Sequence, residues 1–168
     1  PEITPHVATP GPRWYGRPSS GPAADVRAIV EGQMLAMAAH SCWMGVQVTA
    51  IHATGGASVN AGILQVMADV FGAEVFRFEA GNSAALGAAL RAWHADELAS
   101  GTGREWDDIV AGLAEPVASS RVRPRPALTA MYADLLPARA ACEAHALGRG
   151  PDPAPAIEAV LHRHAGQR

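Results

Sequence analysis

Aromatic side chains make up 5% of the 168 residues, and cysteine occurs only twice. Each scarcity excludes something. With few aromatics to interleave with bases, no run of Lys or Arg, and 13 basic against 16 acidic residues for a formal net charge of -3, the electrostatic footprint of a nucleic-acid binder is missing. Cys42 and Cys142 stand alone, with no zinc spacing and no disulfide framework, which suits the reducing cytoplasm. No apolar stretch reaches bilayer length, and the opening "PEITPHVATPGPRWYG" has neither the basic nor the apolar region of a signal peptide, so no membrane partner is expected. The one glycine pair between a strand and a helix is not followed by the lysine of GxxxxGK[ST], which excludes a P-loop. An initiator Met is missing too, and the expectation is a processed, excised or partial chain.

What is present is an ordinary globular composition, 49% hydrophobic and 17% charged, enough for one domain with a core. Six prolines within residues 1–22 predict an extended lead-in. Over 24–43, Val26, Ile29, Val30, Met34, Met37 and Ala38 recur at helical spacing, with Arg27 and Glu31 on another face, and Gly45 follows as a stop. A strand is predicted over 46–53. Asn60 then caps a second helix whose apolar stripe is Ile63, Leu64, Met67, Val70 and Phe71, closed by Gly72. "EVFRFE", residues 74–79, reads as a strand, and Asn82 opens a third helix to about residue 99. The small residues Ala84, Ala85, Gly87, Ala88 and Ala89 of that helix are expected to pack on the sheet. Two βα crossovers imply parallel strands, and two strands are too few for a stable sheet.

After residue 100 the pattern changes. Residues 1–100 read as one unit and 101–168 as loop followed by a peripheral helical tail: "EPVASSRVRPRPAL" is loop-like, 129–146 is helical with Pro137 inside it, and 156–164 is a last short helix. His162 and His164 do not share a helical face and are expected to be solvated, with no metal bound. Asp69 is likewise expected on the solvated face of the second helix, and Asp25 in the first turn of the first, where the dipole favours it.

The glycine pair in "IHATGGASVN" has three readings: a tight turn, close packing of the next helix, or contact with a ligand that tolerates no Cβ. A dinucleotide site is one form of the third, with Glu79 ending the next strand about twenty residues on, but the spacing is wrong for GxGxxG and a helix precedes the motif. The other form is an adenosine cradle, in which backbone at 55–57 passes under a nucleoside or its phosphates and the Asn60 amide reaches a ribose or base.

Residues 51–97, with "ATGGAS", "ILQVMADVFGA" and "NSAALGAALRA" in order, resemble the C-terminal half of xylulokinases in the FGGY carbohydrate kinase family. "VRAIVEGQMLAMAAHS" upstream and "ALTAMYADLLP" downstream extend the resemblance over residues 1–145. It implies an α/β fold, the C-terminal portion of a ribonuclease H-like (actin-like ATPase) domain without its first antiparallel strands. It implies that Gly55, Gly56 and Ala57 line an adenine nucleotide that Asn60 contacts. It further implies γ-phosphoryl transfer from MgATP, with ATP and Mg2+ as cofactors, to a ketopentose such as D-xylulose, within xylose metabolism. Ala61 and Gly62 depart from the family, which often has a charged residue after the equivalent of Asn60. The sugar site and the aspartate base belong to a domain not in this chain, so no catalytic residue is expected here. The chain alone is expected to be inactive, with an open sheet edge that favours homo-oligomers. A non-catalytic nucleotide-binding module and a dinucleotide-dependent oxidoreductase domain are the alternatives.

Overall fold

The computed structural model describes residues 11, 13–15, 20–78, 82–113 and 115–165. Most of the proline-rich lead-in lies outside them. The first helix, α1 (Pro22–Ser41), starts with Pro at its first position, where a missing N–H costs nothing, and Asp25 sits in its first turn. A 3₁₀ turn (Cys42–Met44) ends at Gly45, whose N–H bonds Cys42 O. Strand β1 (Ala50–Ala53) is shorter than the expected 46–53; among the described residues it is an edge strand, paired on one side only. Helix α2 (Ala61–Phe71) is capped by Asn60 and closed by Gly72, whose φ of 61° calls for glycine and where a Cβ would stand only 3.0 Å from Thr129 Cγ2. Strand β2 (Glu74–Phe78) pairs parallel with β1, with Ile51 opposite Val75.

Helix α3 (Ser83–Ala99) is capped by the Asn82 side chain on Ala85 N–H. Its small face is not buried: Ala84, Ala85, Gly87, Ala88 and Ala89 are exposed, a correction to the expected packing on the sheet. Alanine and glycine permit close approach without enough apolar area to compel it. The helix instead packs on the short α4 (Trp106–Val110), where His94 meets Trp106 edge-on and Arg104 lies over Trp93.

The region after residue 110 departs most from expectation. "PVASSRV", read as loop, is strand β3 (Pro116–Val122), antiparallel to β2 and third in the order β1-β2-β3. An irregularity in register between Val75 and Arg77 is held by Ser120, whose hydroxyl accepts from Arg77 N–H and donates to Val117 O. Nor is the tail peripheral. Helix α5 (Pro126–Ala146) continues through Pro137 and inserts Leu128, Met131 and Tyr132 against Leu35 of α1 to form one core cluster. The second cluster joins Ala53 and Val75 of the sheet to Leu64 and Ala68 of α2. Because α2 lies between the sheet, α1 and α5, it buries Val66 and Asp69 outside the predicted stripe.

Tyr132 O–H donates to Glu31 Oε1 (2.8 Å) and accepts from Arg27 (3.3 Å), while Arg27 Nε bonds the same carboxylate. Burial, with the Glu31 charge beside it, pushes the Tyr132 hydroxyl up to about 12. The last helix, α6 (Ala154–Arg163), buries Ile157 and Val160. His164 at its end is buried and bonds Asp134 of α5 at 3.0 Å, so it is not the solvated residue expected, and its hydrogen bond holds the Asp134 carboxyl below the usual range. No three His, Cys, Asp or Glu side chains among the described residues could hold a metal. Both cysteines are free, and no described helix is long and apolar enough to cross a membrane.

Candidate functional site

The β1 strand runs out at Thr54 into a turn built from backbone. Gly55 has φ 83° and ψ -178°, a conformation that side-chain-bearing residues rarely adopt, and its carbonyl accepts from both Ser58 N–H (3.1 Å) and Ser58 Oγ (2.7 Å). That assigns Gly55 to the turn itself. Gly56 differs: its φ is not in the left-handed region, and a Cβ there would meet nothing within 4 Å. Neither the turn nor packing of the next helix requires glycine at 56. Ala57 follows in the 3₁₀ turn (Gly56–Val59), and its carbonyl accepts from Asn60 N–H.

Asn60 closes the turn and starts α2. Its Oδ1 accepts from Gly62 N–H (2.9 Å) and Ile63 N–H (3.1 Å), two of the donors a helix start leaves unpaired. One end of the amide is thereby committed. The Nδ2 end makes no hydrogen bond among the described residues, and Asn60 is exposed. The four sequence-predicted residues are thus contiguous on one exposed turn.

Beside it is a cleft of about 240 Å³ between α1, β1 and α2, walled by Met37, Ile51, Ala53, Ile63, Leu64 and Met67 and reached from the turn by Thr54, Ala57 and Ser58. An apolar slot with a few polar groups at one rim fits a flat, partly apolar ligand. Met37 and Met67 line it although nothing in the sequence marks them for it; helical periodicity shows them only as apolar positions. Asp69, expected in solvent, is fully buried: its Oδ1 accepts from Arg125 N–H (2.8 Å) and Gln65 Nε2 (3.0 Å), and its Oδ2 from the Arg125 guanidinium (3.1 and 2.5 Å). The partner lies 56 residues away in sequence, beyond any local signal. Glu79, the acidic residue of the dinucleotide alternative, is outside the described residues.

Residues 16–95 match the model of the FGGY family of carbohydrate kinases, C-terminal domain. Over this segment the chain is similar to that family. The match takes in the glycine turn, α2 and most of α3. The rat (Rattus norvegicus) xylulose kinase is 42% identical over 132 residues, 77% of this chain and 24% of the rat protein. The mouse (Mus musculus) xylulose kinase is also 42% identical over 132 residues, 23% of its length. Xylulose kinase 2 of Arabidopsis thaliana is 44% identical over 75 residues, 44% of this chain and 13% of that protein. The chain therefore spans about a quarter of the length of the rodent relatives it matches.

Proposed function

We propose that this FGGY segment forms the nucleotide-facing wall of a carbohydrate kinase that transfers the γ-phosphoryl of MgATP to a ketopentose, D-xylulose yielding D-xylulose 5-phosphate. The observation that carries the reading is Gly56, a glycine the fold itself does not need, next in sequence to Ala57, which lines an apolar cleft. A nucleotide whose phosphates or ribose lie against the 55–57 backbone supplies that need, since a Cβ would stand in its path. The Asn60 Nδ2 amide, left over after capping, is a donor on an exposed residue of the same turn, and the Met37–Met67 cleft suits the base. The family match and the xylulose kinases among the relatives support the reaction class and the sugar. On this reading the complete fold is ribonuclease H-like, and the protein works in the cytoplasm.

The protein's part in such chemistry is positioning and charge stabilisation. Gly55–Ala57 bind and orient through backbone, and Asn60 fixes the start of α2 beneath them. Bound MgATP supplies the transferable phosphoryl group and the charge of the metal. Mg2+ in such a site would be carried chiefly by phosphates and water. Fluorescent-ADP titration of the wild type against Gly56→Val tests the reading. Binding lost in a folded variant supports it; equal affinity in the two proteins refutes it.

A further inference from the structure

Among the described residues Asp69 is the one buried carboxylate, and it sits on the helix whose first residues shape the glycine turn. The apolar contacts of α2, through Leu64 and Ala68, are non-directional and tolerate small rotations about the helix axis. The Asp69 contacts are directional, and one of them ends on backbone. Its Oδ1 takes the Arg125 N–H at the β3–α5 corner, and Gln65, one turn earlier and bonded to Asp69 Oδ1, also donates to Arg123 O at 3.0 Å. Two successive turns of α2 are pinned to the main chain of one corner. A helix pinned at one end carries that constraint rigidly to its other end, where Asn60 and the Gly55–Ala57 backbone lie.

We propose that Asp69 is a positioning residue for the glycine turn: it sets the rotation and height of α2 on the β3–α5 corner, and hence the direction in which the turn presents its backbone to a nucleotide. The inference rests on the nucleotide reading above. Its test is fluorescent-ADP affinity and backbone amide spectra of the full polypeptide carrying these residues, for wild type, Asp69→Asn and Tyr132→Phe. Asp69→Asn keeps the size but has one acceptor oxygen where the contacts take two, so an oxygen left on the Arg125 N–H turns its NH2 against the guanidinium and the pin is strained or lost; Tyr132→Phe weakens a remote α1–α5 contact and serves as a purely structural control. The expected result is a five- to tenfold rise in Kd for Asp69→Asn with shifted Gly62 and Ile63 amides, against less than twofold and unshifted amides for Tyr132→Phe. Equal loss in both variants, or no loss in Asp69→Asn, overturns the positioning role. A wild type that binds no ADP defeats the nucleotide reading itself, and the proposal with it. Should Asp69→Asn not fold, Gln65→Leu removes the second pin alone and is expected to raise Kd two- to threefold; an unchanged Kd overturns the proposal.

Discussion

Asn60 Oδ1 stands 2.9 Å from the Gly62 N–H, so the amide at the head of the candidate site spends its oxygen on holding α2 and keeps only its NH2 for anything else. The two jobs can be separated. Asn60→Asp keeps the cap acceptor, and its melt is expected to stay within about 0.5 kcal/mol of wild type, because Asp caps as well as Asn. It removes the donor and adds negative charge beside the nucleotide, so ADP affinity falls. Asn60→Ala is expected to lose about 1 kcal/mol of stability as well. Thermal melts with and without ADP check both.

The two glycines of the pair are expected to fail differently. Gly55→Ala forces a side chain onto φ 83° and destabilises the fold by about 1–2 kcal/mol although the space is open. Gly56→Val leaves the melt nearly unchanged and costs roughly 1–3 kcal/mol of nucleotide binding. Denaturant unfolding and a binding titration on the same preparations distinguish the pattern; the reverse assignment of the two losses contradicts it.

Stability is expected to fall between pH 10 and pH 12 through Tyr132. The unfolded phenol ionises near 10.0 and the folded one at about 12, so over this window the unfolded chain has released a proton the folded chain still holds, and rising pH favours unfolding. The stabilisation is complete below pH 10 and amounts to roughly 2–3 kcal/mol, an order-of-magnitude figure. Tyr132→Phe is expected to flatten the pH dependence in that window. Urea unfolding at stepped pH measures it.

On the proposed function, the complete protein is expected to prefer D-xylulose by kcat/KM in an ADP-release screen across ketoses, polyols and glycerol. A polyol or glycerol as best substrate contradicts the sugar assignment and leaves the FGGY match of residues 16–95 untouched. The 168-residue chain alone is expected to show no xylulose-dependent turnover above a blank, since aligning hydroxyl, phosphoryl group and metal takes groups from both sides of a cleft. Measurable turnover by the purified chain refutes that.

Much of the local structure was legible in the sequence because its causes are local. Asn60 and Asn82 cap the helices that follow them, and Gly72 ends α2; each works within four residues through a side-chain acceptor or a left-handed φ. The parallel β1–β2 pair follows from the crossover helix between them. The motif at 55–60 is also legible in the sequence, although which of its glycines serves the turn is not.

What only the tertiary structure decided is what depends on partners far away in the chain. "PVASSRV" carries prolines, serines and arginines nearby and no clean alternation, yet it is a strand because β2 offers it an edge and Ser120 holds the irregular register. Asp69 looks solvated by helical spacing and is buried because Arg125, 56 residues on, supplies the N–H and guanidinium that satisfy it; without that partner, burial of the charge costs too much. The small face of α3 shows the converse, since small side chains allow a contact without requiring one. By itself, then, the sequence determined both ends of α2, the start of α3, the parallel pair and the glycine motif, all set by short-range geometry. The depth of the core, the third strand and the pinning of α2 were decided by the tertiary structure, because burial and charge pairing are properties of the surroundings a residue meets rather than of the residue itself.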